Sequence, residues 1–311
     1  MMPLLLPLPA AAGAAPLHAG ALRWAVGPLA YWVDTLDPFL GPHWGAFGLR
    51  YYGLGYALGF LAGAALLRQY DRAGRSLLPA DRIPDLMVAL VCGVLLGGRI
   101  GSYLLYDGWR SFGTDPLAIF RVWEGGMASH GGILGVVLAI AWFARNQRIP
   151  FTHLGDLVAS AAPPGLLAVR IANFINGELW GKVADVRWAV IFPRSAPPGT
   201  PLELIAPRHP SQLYEAALEG ALLLAYLQWR FWRTDVVRRH PGRLAGEFLL
   251  GYAVVRAIGE RFREPDASLI LGLSRGTFYS VALAAFGLFL IFRPVRPLDL
   301  AAARAPKPSL R

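Results

Sequence analysis

Four polar residues, Arg170, Asn173, Asn176 and Glu178, sit within the thirteen-residue run VRIANFINGELWG at 169–181. The run ends on Gly181 and follows an apolar stretch long enough to enter a bilayer. Strongly polar side chains at that depth are costly unless paired or wetted, so an intramembrane ionisable residue is a functional-site candidate by default. Arg99, His130, Arg256 and Arg263 also lie inside or at the rim of apolar segments. Guanidinium groups kept within a helical bundle suit an anionic partner, because the planar fork binds phosphate oxygens bidentately and stays charged.

Other segments share this polar-in-apolar character. LRYYGLGYALGF at 49–60 places Tyr52 and Tyr56 four residues apart, on one helix face, with Gly53, Gly55 and Gly59 allowing close approach of a helix or lipid. GGRIGSYLLY at 97–106 carries Arg99, and WEGGMASHGGILG at 123–135 sets His130 between two glycine pairs. RHPSQLYE at 208–215 opens a helix with Ser211, Gln212 and Glu215, and ERFREPD at 260–266 closes one with Arg261 and Arg263. Each has a plainer reading. Tyrosines near helix ends anchor at the interface, arginines there snorkel, a lone histidine packs, and Arg99 or Arg256 pairs with Glu178, Glu215 or Glu260 to hold helices together. Arg170 fits the plain reading worst, being deep and followed at once by three polar groups.

The elements that must position these residues are membrane helices. The 311-residue chain is 55% hydrophobic and only 16% charged, against about a quarter charged in soluble domains. A spanning helix needs about 20 predominantly apolar residues. Seven candidates are expected, at 48–67, 86–106, 130–144, 154–175, 212–231, 244–262 and 277–292. The third suggests a re-entrant or broken start, and Pro163 and Pro164 interrupt the fourth just before Arg170. The fold expected is therefore an all-α integral membrane bundle of about seven transmembrane helices, with a central polar cavity. A small extracytoplasmic cap is expected from the proline-rich loop at 182–208. Residues 1–40 read as a variable apolar and interfacial extension, in which Trp24, Tyr31 and Trp32 suit the headgroup level. Residues 41–293 read as the seven-helix transmembrane domain that carries these residues and 294–311 as a basic tail. Arginine crowds the loops after helices one, three and five and the C-terminal tail, which places the C-terminus in the cytoplasm and the N-terminus outside.

The net charge of +10 comes almost wholly from arginine, and much of that arginine reads as genome composition and topology signal. The single cysteine, Cys92, excludes an intrachain disulfide and a cysteine metal cluster, and is expected to pack. There is no HExxH, no GxSxG, no phosphate-binding loop and no dinucleotide glycine pattern. No metal, soluble cofactor or nucleic-acid partner is expected.

VRIANFINGELWG resembles the signature of the bacterial prolipoprotein diacylglyceryl transferases. YYGLGY, GGRIG, GGMASHGG, HPSQLYE and FREPD agree with that family in kind and order, so the resemblance covers about 38–292. It implies a seven-span inner-membrane enzyme that moves a diacylglyceryl group from phosphatidylglycerol to the lipobox cysteine of a prolipoprotein signal peptide. It also implies functional roles for Tyr52, His130, Arg170, Asn173, Glu178, Gly181 and Arg263. In such a reaction Arg170 and Arg263 would clamp the phosphate, Asn173 and Asn176 would orient its oxygens or those of glycerol, and Glu178 would position an arginine. His130 would be the base, or the arginines alone would favour the thiolate. Two departures stand out: Val169 where the family usually has glycine, and Thr277 where it usually has glutamine. The competing classes are a silent lipid- or lipoprotein-binding homologue and an anion transporter; the missing internal repeat counts against the transporter.

Overall fold

The computed structural model describes residues 23–26, 29–44, 48–104, 115–120, 128–265 and 272–300. It is mostly helical. The long elements are α1 (Tyr51–Arg72), α2 (Ile83–Ser102), α3 (Ser129–Gln147), α4 (Phe151–Ala161) and α5 (Pro163–Ile175). After the cap come α6 (Ser211–Glu215), a π-helical segment (Ala216–Leu222), α7 (Leu223–Arg233), the short α8 (Val236–Arg239), α9 (Arg243–Gly259) and α10 (Arg275–Phe292). Helix occupies each of the seven apolar segments expected. Among the described residues, two stretches, Ala80–Ser102 and Phe151–Ile175, are long and apolar enough to cross a membrane, and Gly276–Phe292 is a shorter apolar helix.

Glycine sets how the helices pair. Gly93, Gly97 and Gly101 recur every four residues on α2 and face Gly131 and Gly135 of α3. A Cβ at Gly93 would stand 2.5 Å from the Gly135 carbonyl, and one at Gly101 would stand 2.7 Å from the Gly131 Cα. Backbones approach this closely only through small residues, which is how helices associate when lipid removes the hydrophobic drive. The α1–α5 pair is built likewise: a Cβ at Gly59 would lie 2.6 Å from the Gly165 Cα, and Gly55 lies against Ala168. Gly53, expected to share this role, faces open space. Gly246 of α9 meets Gly287 of α10 in a third such contact.

The break at Pro163 and Pro164 occurs as expected, since α4 stops at Ala161 and α5 starts on proline. The stretch before the third segment, at 121–127 with Gly125 and Gly126, lies outside the described residues. At the other end of α4 the buried Asp156 accepts from the Gly242 and Ala245 amides, both at 2.7 Å. It thereby caps α9, whose first amides have no partner within their own helix. Cys92 does not pack as expected; it is exposed on α2.

The cap contains strands as well as loop. β1 (Arg23–Val26) pairs antiparallel with β2 (Leu29–Val33), and β2 pairs parallel with β3 (Val190–Ile191), with Val33 opposite Ile191. Tyr31 and Val33 point into a small core with Ala189, Ile191 and Ile205. Trp32, on the opposite face, stacks on Phe174 at 5.5 Å. Tyr31 and Trp32 therefore pack inward instead of anchoring at a membrane interface, and the Trp24 side chain lies outside the described residues. The segment read as an extension thus contributes two strands, and the second lays Trp32 on Phe174 near the end of α5, within the polar run.

Candidate active site

Three helices converge on two buried carboxylates. Glu215 ends α6 and Glu219 lies in the π-helical segment; their side chains are 1% and 0% exposed. A π turn is rare and frequent at functional sites; here it lets Gly220 lie against the α5 backbone at Leu167, bringing both glutamates to the arginine-bearing helices. Arg170 of α5 donates Nε to Glu219 at 3.0 Å, and its Nη1 meets Glu215 at 3.0 Å. Arg256 of α9 reaches the same two carboxylates, at 3.1 and 3.3 Å, and also pairs with Glu260. Arg263, just past α9, contacts both oxygens of Glu215 at 3.3 Å. The cluster balances three guanidinium groups, of Arg170, Arg256 and Arg263, against three carboxylates, of Glu215, Glu219 and Glu260. Balance is what a buried set requires, since an uncompensated charge there is severely penalised.

Beside this cluster runs a second chain of polar contacts. Asn173 donates to the Tyr52 hydroxyl at 2.7 Å and to Glu178 at 3.0 Å, and Asn176 donates to the same Glu178 oxygen at 3.2 Å. Gln212 binds the Glu178 carbonyl at 2.6 Å and Ser211 the Leu179 carbonyl at 3.0 Å. Glu178 was expected to position an arginine. Its carboxylate is gripped by the two asparagines instead, because the chain turns sharply at Gly177 (φ +58°) and Leu179 (φ +56°) and folds it back toward α5. The arginines are held by Glu215, which the sequence offered as one partner among several, and by Glu219, which it did not single out. Arg256, weighed mainly as a structural residue, stands in the centre beside Arg170. Arg99 donates to the Ile119 carbonyl and lies over the Tyr103 ring. Tyr56 shares the α1 face of Tyr52, with rings 5.7 Å apart. Thr277 has a local role: its amide and hydroxyl bond the Ser274 side chain that caps α10. His130 lies in the first turn of α3, and its side chain is outside the described residues.

Gly181 has a steric explanation. Its amide bonds the His209 carbonyl at 2.9 Å, while the next amide bonds Phe262 at 2.8 Å. A Cβ at Gly181 would fall 2.5 Å from the His209 oxygen and 2.6 Å from the Phe262 oxygen. The residue is wedged between the loop segment before α6 and the segment carrying Arg263, with which it forms an isolated β-bridge. Gly181→Ala is expected to push these backbones apart, displace Arg263 and Glu215 together, and lower turnover by at least about 100-fold, as misplacement by about 1 Å can. Near-normal turnover of the purified variant would refute the wedge.

The cap grips the turn from outside. Asp34 at the end of β2 lies where a Gly177 side chain would be, 2.8 Å from its ideal Cβ, and Arg194 bonds the Asn176 carbonyl. Burial pushes the Asp34 carboxyl up to about 6, against the opposing pull of the Leu36 amide and the Arg194 guanidinium. The charged form is the penalised one. The stability cost is therefore absent below the ordinary value of 3.8, grows as pH rises toward about 6, and is constant above. Asp34→Asn is expected to raise the melting midpoint at about pH 7.5 and leave it nearly unchanged at about pH 4. Equal shifts at both would argue against a buried carboxylate.

Residues 42–293 match the family model described as prolipoprotein diacylglyceryl transferase. Among similar proteins, the phosphatidylglycerol–prolipoprotein diacylglyceryl transferase of Shewanella sp. (strain MR-4) is 43% identical over 272 residues, covering 86% of this chain and 93% of the relative. The protein of the same name from Rhodospirillum rubrum is 41% identical over 277 residues, covering 87% and 97%. That from Zymomonas mobilis is 42% identical over 258 residues, covering 80% and 86%. With its polar run, its glycine-paired helices and a match across most of its length, the chain belongs to the prolipoprotein diacylglyceryl transferase family.

Proposed function

We propose that this chain transfers the diacylglyceryl group of phosphatidylglycerol to the cysteine thiol of a prolipoprotein signal peptide, forming a thioether and releasing glycerol phosphate. The observation that carries the reading is the pair Arg170 and Arg256, held by the same two buried glutamates beside the chain from Tyr52 to Glu178. The thiolate sulfur attacks C3 of the glyceryl unit. The C3–O bond breaks and its electron pair leaves with the phosphate oxygen. A guanidinium has five N–H donors. Arg170 donates Nε to Glu219 and sets its two terminal nitrogens beside Glu219 and Glu215, at 2.9 and 3.0 Å; their remaining N–H groups are the donors assigned here to the phosphate. Glu215 and Glu219 hold the fork in place before substrate arrives, so little reorganisation is needed as charge develops on the leaving group. Arg256 joins Arg170 and Arg263, the pair read from the sequence as the clamp, because all three guanidinium groups meet Glu215. Tyr52, Asn173, Asn176, Glu178 and Gly181 form the wall that orients the lipid headgroup.

His130 is the proposed base, with an imidazole whose ordinary pKa is near neutral. Both His130→Ala and His130→Gln are expected to lose turnover by about 100-fold, in the range of general-base contributions. Near-wild-type rates in both would leave the arginines alone to favour the thiolate.

The protein is read as a multi-pass protein of the bacterial inner membrane with seven spans, N-terminus outside and C-terminus in the cytoplasm, on the strength of the arginine-rich loops. Lipid and signal peptide both arrive from within the bilayer, through a side opening between helices. The test is reconstituted protein with phosphatidylglycerol and a lipobox peptide, read by peptide mass. Gain of one diacylglyceryl group, abolished when the peptide cysteine becomes serine, is expected. Binding of both substrates without mass gain would point to a silent homologue, and binding of neither would reopen the anion-transporter reading.

A further inference from the structure

An apolar cleft of ≈ 360 Å³ opens between the α1–α5 pair and the α2–α3 pair. Of its sixteen lining residues, the Tyr56 hydroxyl brings the one side-chain oxygen; the rest are hydrocarbon, thioether or glycine. One end is formed by Tyr56 and Val169, and Val169 immediately precedes Arg170 of the charged cluster. The other end is formed by Leu67 and Met87. From Tyr56 to Leu67 is eleven residues of continuous helix, about 16 Å at the α-helical rise of about 1.5 Å per residue. Half of a bilayer's hydrocarbon core is about 15 Å. The cleft thus starts beside the residue that precedes Arg170 and is about as long as one leaflet's hydrocarbon is deep.

We infer that this cleft seats one acyl chain of the lipid donor and sets the chain length the protein prefers. The inference rests on the transferase reading above. Two features select an acyl chain over other occupants. A headgroup or an extended peptide would bring polar groups that the walls beyond Tyr56 cannot satisfy. A peptide helix is about 10–12 Å across with its side chains, so two turns already exceed this volume. Continuity with Arg170 supplies the rest: a phosphate on the guanidinium fork leaves the ester-linked chains of the same molecule beside Val169. The isopropyl group of Val169, at a position usually glycine in the family, stands at the mouth and forms part of the apolar wall.

The experiment compares dipalmitoyl with dioctanoyl phosphatidylglycerol in detergent micelles, with a lipobox peptide as acceptor. The wild-type protein is set beside Val158→Phe and Val94→Phe, which narrow the cleft from α4 and α2 and lie outside the polar cluster. In each variant kcat/KM for the long-chain lipid is expected to fall at least about tenfold, because several methylenes lose an apolar seat. For the short-chain lipid it is expected to change less than about twofold, which also reports that the variant is folded. Equal losses on both lipids, or no loss on either, would overturn the acyl-seat inference. Failure of the wild-type protein to transfer from either lipid would instead overturn the transferase reading, and the two failures are separable.

Discussion

Arg170→Lys is expected to leave the protein folded and reduce turnover by about 100- to 1,000-fold, the usual cost of removing one preorganised donor to a developing oxyanion. The substitution keeps the positive charge and so keeps the balance of the buried cluster. What it removes is shape. Arg170 binds Glu219 through Nε and Nη2 and Glu215 through Nη1, and no single ammonium can hold both carboxylates and still present two parallel N–H groups to a phosphate. The loss should appear in kcat more than in KM, because the ground-state phosphodiester needs the fork less than the departing monoester does. The measurement is steady-state transfer to a lipobox peptide, with lipid concentration varied. Undiminished kcat would eliminate bidentate phosphate binding by Arg170. Arg256→Lys should behave alike, since Arg256 shares both glutamates with Arg170.

The sequence revealed which segment holds the chemistry far better than which groups pair inside it. Arg170, Asn173, Asn176 and Glu178 were legible because polar residues at membrane depth need a reason, and the structure gathers the three residues after Arg170 into one hydrogen-bonded chain with Tyr52. Glu219 was legible in principle as a carboxylate inside the apolar run AALEGALLLAYL. It was passed over because a π turn, which brings it with Glu215 to the arginines, has no local signature. Arg256 looked structural for a related reason: a helical arginine with a glutamate four residues on reads as an ordinary ion pair. The glycine ladder of Gly93, Gly97 and Gly101 could have been read from its four-residue spacing. The cap sheet could not, because β3 is two residues long and pairs with a strand over 150 positions away. Short parallel pairings leave no periodicity to find.

Glu215→Gln is expected to destabilise the protein strongly. Glu215 touches Arg170, Arg256 and Arg263 while its side chain is 1% exposed. Neutralising it leaves three guanidinium groups facing two carboxylates, and breaking a buried pair by removing one partner costs about 3–5 kcal/mol. For a chain of this size that is a fall of roughly 10 °C in the melting midpoint. Glu260→Gln should cost less, since Glu260 lies at the edge of the cluster beside Arg256. The two roles assigned to Glu215, neutralising the arginines and aiming them, separate when an anion is added. If the guanidinium groups can accept a phosphate in place of a carboxylate, phosphatidylglycerol should restore more of the lost midpoint in the Glu215→Gln protein than it adds to wild type. Binding to the folded state alone stabilises it in proportion to affinity, and the variant cluster carries one uncompensated positive charge. Zwitterionic phosphatidylethanolamine should restore much less. Equal effects of both lipids on variant and wild type would mean that the arginines are sealed by their glutamates and that phosphate binds elsewhere.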